Sequence, residues 1–463
     1  MKHWYVIMFL AISVLLVNPQ VTLALDLHEC VKMGLANSDR VLAARASMDQ
    51  RQTDRYASVP NFFPQVSLQA SYMWLDVHST MPDISIALPE GLPEEQAAMF
   101  GSLLGQFDPL LDLMTEVPDY DRDLRLQAYQ PLTQLPQIAM YDRMAADVSR
   151  LAALNYGVTK DQITLFLASQ YLQALIAEKK VETLRNASEQ MNQLVKDGLA
   201  LRSHGMITEA DYLKIQMHQG EVELQLKKAL GDEAYFKSYL AKLLNLPLDQ
   251  IILEEPVPPV VMAHDLTWCL DQGERNRREL QMTSLQEGIA RSNRTASYMN
   301  LFPQIGAVAA ADWNDDGLDA TPDRTYSAGV VLSWNFWGMG RDVLQARSSS
   351  YALSRAEHEA RATRIDLRMS IEKAWHDAQL AHEAVAANKR ILDQAKENFR
   401  IEEERYRLGQ TTTSDLLGAQ TQLTSAQTGH DAARFMAILA DESLVYAVGE
   451  RPFSYLFQAD GND

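Results

Sequence analysis

The sequence predicts an α+β chain in which long coiled-coil helices alternate with pairs of short amphipathic strands, laid out as two copies of one unit. Three observations carry that expectation. The chain repeats itself, its strands keep a strict period of two over about ten residues, and apolar heptads run through two stretches of nearly seventy residues.

The repeat comes first, because it organises everything else. "RYASVPNFFPQV" (Arg55–Val66) aligns with "RTASYMNLFPQI" (Arg294–Ile305) at an offset of 239. From Leu27 to Trp74 that offset matches thirteen of 48 positions without a gap, among them Cys30 with Cys269. A second offset, 204, sets "LRSHGMITEADYL" (Leu201–Leu213) on "RYRLGQTTTSDLL" (Arg405–Leu417), with Tyr171 on Trp375 and Asn245 on Gly449. The drop between offsets leaves the first copy 35 residues longer, between Trp74 and Pro131. The expected layout is a leader over 1–24, a first repeat over 25–253, a Pro-rich linker over 254–264, a second repeat over 265–449 and a tail over 450–463.

The leader reads as a secretory signal. Lys2 and His3 precede the apolar run Val6–Val17, and Thr22 and Ala24 stand where a signal peptidase reads. Glu29 before Cys30 does not suit a lipoprotein cleavage site, which argues against lipidation. Removing Lys2 takes the formal charge from -19 to -20, a poor balance for binding nucleic acid. No other segment has eighteen consecutive apolar residues, so any membrane crossing falls to β-strands. Because the two cysteines occupy one repeat position, they read as two copies of a small buried residue rather than a bridge.

Each copy reads helix, strand, strand, helix, helix. In the strand at ~64–75, Val66, Leu68, Ala70, Tyr72 and Trp74 share one face, and Gln65, Ser67, Gln69 and Ser71 the other. The strand at ~303–313 keeps that parity through Ile305, Ala307, Ala309, Ala311 and Trp313. The returning strands lie at ~123–133 and ~325–337. Tyr72, Trp74, Trp313, Tyr326, Trp334 and Trp337 gather at strand ends, as aromatic belts do at membrane interfaces. A half-buried soluble sheet fits the strands equally well, and four strands cannot close a membrane barrel. The extra segment, ~76–122, is expected to form an outer loop with a short helix around Glu94–Leu104.

The long helices are expected at 137–203 and 341–408, each roughly 100 Å by helix rise. Ile371, Ala378, Val385, Leu392, Phe399 and Tyr406 fall seven apart, as do Leu151, Val158, Leu165 and Leu172. Heptads alone favour a soluble coiled coil or tether. Gly205 and Gly409 then mark tip turns at ~203–208 and ~407–412, each glycine taking the positive φ of a helix end. Thr208 in the first copy, and one of Thr411, Thr412, Thr413 or Ser414 in the second, is expected to cap the next helix, with Asp211 and Asp415 in its first turn.

Leader, tandem repeat, the "NFFPQVSLQASYMW" and "NLFPQIGAVAAADW" strands and "YRLGQTTTSDLL" at a tip together resemble the TolC family of outer-membrane efflux proteins, over about Leu27–Pro452. The resemblance implies a homotrimer whose twelve strands, four per chain, close a β-barrel that continues into a long periplasmic α-helical coiled-coil barrel. It implies a passive exit duct in the outer membrane of a Gram-negative bacterium, with a large periplasmic portion. Its implied partners are a periplasmic adaptor (membrane fusion protein), an inner-membrane transporter of the RND or ABC type and outer-membrane lipid, without nucleic acid, cofactor or enzymatic chemistry. Arg407, Leu408 and Gly409 match the family's adaptor-docking signature, and Ser203, His204 and Gly205 are the weaker first-copy counterpart. Asp415 matches an aspartate that rings the closed aperture, and Tyr406 and Asp211 match its polar network. Thr411 replaces the arginine that completes the network, and the sequence offers Arg202 or Arg407 in its stead.

Two further signals lie outside that resemblance. Asp312, Asn314 and Asp316 resemble a calcium loop, but strands flank them and the final Glu is an Asp. No nucleophile elbow, phosphate loop or HExxH is present, which counts against an exported enzyme. A periplasmic coiled-coil tether is the alternative to a channel, and the strand pairs count against it.

Overall fold

A computed structural model describes residues 23–74, 98–99, 101–103, 105–106, 120–247, 251–256, 264–315 and 323–457. Most of the leader, Asp316 and most of the segment 76–122 therefore lie outside the described residues; of the short helix expected at 94–104, residues 98–99 and 101–103 are helical.

The chain opens with β1 (Leu23–Leu25), α1 (Leu27–Asn37), α2 (Asp39–Ser58) and a 3-10 turn (Val59–Phe62). Then come β2 (Gln65–Trp74), β3 (Tyr120–Pro131), the 69-residue α3 (Leu135–Ser203) and α4 (Glu209–Leu244). After β4 (Ile251–Leu253), the helices α5 (Leu266–Asn276) and α6 (Arg278–Met299) lead to β5 (Gln304–Asp315) and β6 (Asp323–Ser333). The second 69-residue helix, α7 (Met339–Arg407), is followed by α8 (Thr413–Ala447) and the short α9 (Ser454–Phe457). The chain is thus mostly helical, with one four-stranded antiparallel sheet and a two-stranded parallel pair. Among the described residues no helix is long and apolar enough to cross a membrane.

Contacts divide the chain into two compact units: residues 1–52, 147–288 and 354–463 in the first, residues 53–146 and 289–353 in the second. Each unit draws on both halves of the sequence, so the contact units cut across the boundaries expected from the repeat.

The first unit is built on buried helix seams. Ile371, Ala378, Leu392 and Tyr406 of the expected heptad row are buried on α7, and Leu392 and Ala395 pack against Ala426 of α8. The largest cluster gathers Leu25, Leu27, Cys30, Val31, Tyr171, Leu175, Leu240, Leu244, Phe435 and Phe453. Through it runs the parallel pair β1–β4, with Leu23 opposite Ile251, a contact without a local sequence signature. The pair uses Leu23 and Ala24, which the sequence reading assigns to the leader. Tyr171, fully buried, places its hydroxyl 2.7 Å from the carbonyls of Leu25 and Glu254 and accepts from Glu254 N at 2.9 Å. Both cysteines are free and buried, as expected, and burial pushes the Cys30 thiol up to about 12.

The second unit holds the sheet, in the order β2-β3-β5-β6. Paired residues share a face, so the register sorts the side chains. Val66, Leu68, Tyr72 and Trp74 fall with Leu124, Leu126 and Ala128, with Ala309, Ala311 and Trp313, and with Tyr326 and Ala328. The opposite face carries Ser67, Gln69, Ser71, Gln127, Arg125, Asp123, Asp312, Asn314, Thr325 and Ser327. The apolar face is exposed, Leu68 to 68% and Tyr326 to 73%, and Ser67, Gln69, Thr325 and Ser327 on the other face are exposed as well.

Strand β6 stops at Ser333, short of the expected end near 337. The side chain of Asn335 accepts from Gly338 N at 2.9 Å and turns the backbone out of the ladder towards α7. Trp334 and Trp337 consequently lie beyond the strand, Trp334 beside Phe336 at a centroid distance of 4.3 Å and Trp337 fully exposed. Tyr72, Trp74, Trp313 and Tyr326 are strand residues, the last two in edge contact at 6.5 Å.

Candidate functional site: the paired hairpin tips

Both long helices of the first unit end in the same backbone motif. Gly205 has φ +72° and Gly409 φ +70°, values that a side chain adopts at a cost. At the first tip Met206 N reaches back to Leu201 O at 2.9 Å and Gly205 N to Arg202 O at 3.0 Å. At the second, Gln410 N bonds Arg405 O at 2.8 Å and Gly409 N bonds Tyr406 O at 3.0 Å. This pair of bonds satisfies helix carbonyls that would otherwise be orphaned. Asn245 (φ 55°) and Gly449 (φ 86°) end α4 and α8 in the same manner.

The caps differ between the tips. Thr208 caps α4: its hydroxyl accepts from Asp211 N at 3.1 Å and donates to the Asp211 carboxylate at 2.6 Å. Thr412 is the residue that caps α8, and here the capping box is complete. Asp415 N donates to Thr412 Oγ1 at 3.2 Å while Thr412 N donates to Asp415 Oδ2 at 3.3 Å. The Thr412 hydroxyl, then its backbone N–H, hold the Asp415 carboxyl below its ordinary range. The Thr208 hydroxyl, helped by Lys214, does the same for Asp211.

Thr411 fills the place of the missing arginine. Its hydroxyl donates to Glu402 at 2.6 Å and lies 3.3 Å from Asp415. Arg405 holds the other oxygen of Glu402 at 3.0 Å and lies 3.5 Å from Gln410 O. A chain of polar contacts thus runs Arg405, Glu402, Thr411, Asp415, Thr412. Tyr406 is buried, with its phenol oxygen 3.5 Å from Thr413 Oγ1.

Neither arginine that the sequence offered bridges the two hairpins. Arg202 bonds Glu209 across its own turn at 3.0 Å and stacks over the Tyr212 ring at 4.6 Å, while Arg407 pairs with Glu403 one turn back at 3.0 Å. Each is taken up by a carboxylate of its own hairpin. The hairpins meet instead through Lys214, which donates to Ser414 at 3.4 Å, and through Gln420, which donates to Gln190 at 2.8 Å. Beneath them Met191, Ile215, Val222 and Leu417 form an apolar plug. Sequence reading missed Glu402, Arg405 and Lys214, and named Ser414 only as a cap candidate. Only the Glu402–Arg405 pair, three residues apart on one helix, had a signal that could have found it.

Beside the tips, the last turns of α3 and α7 leave a groove of about 460 Å³. Leu194, Leu201, Phe399, Tyr406 and Leu416 give it apolar walls, and Asp197, Glu403 and Arg407 a charged rim. Leu408 is 66% exposed at the turn; Ser203 donates to Ala200 O at 2.7 Å, and His204 is exposed. The site has helix ends, capped carboxylates and an open groove, but no arrangement of nucleophile and base. No group of three metal-ligating side chains occurs among the described residues. Asp312 and Asn314 are strand residues of β5, and Arg125 takes the Asp312 carboxylate.

Residues 269–450 match the family model of outer membrane efflux proteins. The matched stretch holds β5, β6 and the Gly409 tip. The match agrees with the resemblance carried by those strands and that tip. The chain is 31% identical over 151 residues to the outer membrane efflux protein BepC of Brucella suis biovar 1, covering 32% of this chain and 33% of that protein. It is 26% identical over 156 residues to the probable outer membrane lipoprotein SilC of Salmonella typhimurium, covering 33% of each. These matches span about one third of the length of the relatives. Among solved structures, the outer membrane protein VceC of Vibrio cholerae superposes with a TM-score of 0.74 at 17% identity, over 92% of this chain and 96% of that one. The outer membrane channel CmeC of Campylobacter jejuni gives 0.73 at 12% identity, over 94% and 88%. At these identities the likeness speaks to the fold of the family, and it extends over nearly the whole chain.

Proposed function

We propose that the chain is the outer-membrane exit duct of a tripartite efflux or type I secretion system, a passive conduit without catalysis. One observation carries the reading: a four-stranded antiparallel sheet whose apolar face is exposed and whose edge strands, β2 and β6, each lack one neighbour. An exposed apolar face of this size needs cover. A membrane would cover it, and the unpaired edges need partners to be stable there. Four strands fall short of the smallest membrane barrel, and three chains supply twelve. Helical faces support the same assembly: Leu213, Met217 and Leu224 form an exposed apolar stripe on α4, as Ile365 and Met369 do on α7. The matching sequence halves then form one pseudo-symmetric unit.

In this reading the α3–α4 and α7–α8 tips form the periplasmic end. Three copies of Asp415, with Asp211, Tyr406 and Thr411, surround the aperture. Their carboxylates attract cations. Arg407, Leu408, Gly409 and the groove walls meet the adaptor, with Ser203, His204 and Gly205 as the second contact, and the adaptor links the duct to an RND-type or ABC-type transporter.

Membrane fractionation tests the proposal. The chain is expected in the outer membrane as a trimer that dissociates on heating. A monomer in the periplasmic fraction sinks the duct and leaves the coiled-coil tether.

A further inference from the structure

The sheet's described strands hold three basic residues, all near the end remote from the helices: Arg122, Arg125 and Arg324. Arg125 is on the polar face, paired with Asp312. The other two are on the apolar face. Register puts Arg122 between Tyr72 and Asp315, and puts Arg324 beside Trp313 one row nearer the helices. An arginine on an exposed apolar face is costly unless something anionic meets it.

The surroundings prepare these side chains for a ligand. The Arg122 guanidinium lies over two rings, 4.5 Å from the Tyr120 centroid and 5.6 Å from that of Tyr72, and the rings themselves stack at 6.2 Å. Its one carboxylate neighbour, Asp315, is 3.7 Å from Nη1, longer than a hydrogen bond. Arg324 is exposed and has no ion-pair partner among the described residues. The opposite end of the sheet contrasts with this: residues 59–64, 132–138, 299–303 and 334–340 hold no Lys or Arg, although Phe63, Phe302, Phe336 and Trp337 make it equally aromatic. Aromatic side chains therefore mark both ends of the apolar band, and basic ones only the end remote from the helices.

We infer that Arg122 and Arg324, set among Tyr72, Tyr120 and Trp313, form a binding site for the phosphate of a lipid headgroup in the leaflet that surrounds the outer end of the sheet. The inference rests on the proposal that the apolar face meets lipid. Guanidinium planes suit phosphate oxygens, and the two arginines stand two strand spacings, about 10 Å, apart across the sheet and one row, about 7 Å, apart along it. The aromatic rings hold the acyl–headgroup boundary at the same level. Segments 75–119 and 316–322 contain no Lys or Arg, so a double variant leaves Arg125, on the polar face and paired with Asp312, as the one basic residue of this end.

The test uses the purified full-length protein in detergent, with diphosphoryl lipid A and its dephosphorylated form as probes and native mass spectrometry as the readout. The wild type is expected to retain diphosphoryl lipid A about tenfold more than the dephosphorylated lipid, and Arg122→Gln/Arg324→Gln to lose that preference. Arg125→Gln, on the other face, should keep it. Equal retention of the two lipids, or an unchanged preference in the double variant, overturns the inference. A preference that survives in the double variant and vanishes with EDTA assigns the phosphate to cation bridges and overturns it as well. Flotation with vesicles separates the two readings. A chain that floats without phosphate preference defeats only the lipid site, whereas a chain that never floats defeats the membrane reading along with it.

Discussion

Two hydroxyls in this chain do similar work in opposite surroundings. Tyr171 bridges Leu25 and Glu254 at the end of the β1–β4 pair, fully buried among Cys30, Leu175 and Phe453. Thr411 bridges Glu402 and Asp415 at a tip where Asp415 and Thr412 face water. A buried hydrogen-bonding group has no water to fall back on, whereas an exposed one does. The layer around Tyr171 is thus the more firmly held of the two, and in the proposed duct the tip is the part that comes apart. The contrast yields predictions in descending order of effect.

The largest concerns the same buried layer. Glu442 is 2% exposed, and its carboxylate accepts from Phe453 N, fixing the segment after α8. Burial raises its pKa from 4.5 to about 7, outweighing the backbone N–H that favours ionisation. A folded-state pKa above the unfolded one means stability that is full below about pH 4.5 and lost as pH rises through about 7. At about 1.4 kcal/mol per unit of pKa, the loss is about 3 kcal/mol. Melting temperature should fall between pH 5 and pH 8, and Glu442→Gln should flatten that slope. Equal slopes would show that the layer tolerates a charge and would blur the contrast.

Next comes Tyr171→Phe. It leaves the carbonyls of Leu25 and Glu254 without the bridging hydroxyl, at an expected cost of about 2 kcal/mol. Urea unfolding followed by Trp fluorescence reads it. A cost near zero would mean that water replaces the hydroxyl.

How much of this contrast was legible in the sequence depends on range. Local signals worked. The alternation from Gln65 to Trp74 gave that strand to within a residue, and the glycines gave both turns because positive φ is a property of single residues. The run Thr411–Ser414 offers four cap candidates, since any hydroxyl in it can accept from a helix N–H. Contacts across distance were not legible. Glu402 meets Thr411 nine residues on, and Lys214 meets Ser414 two hundred residues on, which no periodicity records. The overrun of β6 to Trp337 has a similar cause: Trp334 and Phe336 keep the strand parity, and only the Asn335 turn breaks it.

Smaller effects compare the two tips. Thr412→Ala removes a complete capping box and is expected to cost about 1 kcal/mol; Thr208→Ala removes a one-sided cap and should cost less. Hydrogen exchange at the first turns of α8 and α4 resolves the two. If the first tip loosens more, the Lys214 contact with Asp211 rather than the cap governs it.

The smallest effect on stability carries the largest functional claim. Thr411→Val keeps the shape of the side chain but cuts the link between the turn and Glu402, which Arg405 still pins to α7. Because the tip is exposed, global stability should change by less than about 0.5 kcal/mol. In the proposed duct the bond holds the closed arrangement, so its loss, about 0.5 kcal/mol at this exposed site, is expected to shift the closed-to-open balance about twofold. Single-channel recordings in planar bilayers should show that rise in open events, and a matching rise for Lys214→Met, which cuts the contact with Ser414. A large drop in melting temperature with unchanged conductance would make Thr411 a second Tyr171. The tip would then be another fixed joint, and the opening of the proposed duct would have to be sought elsewhere along α7 and α8.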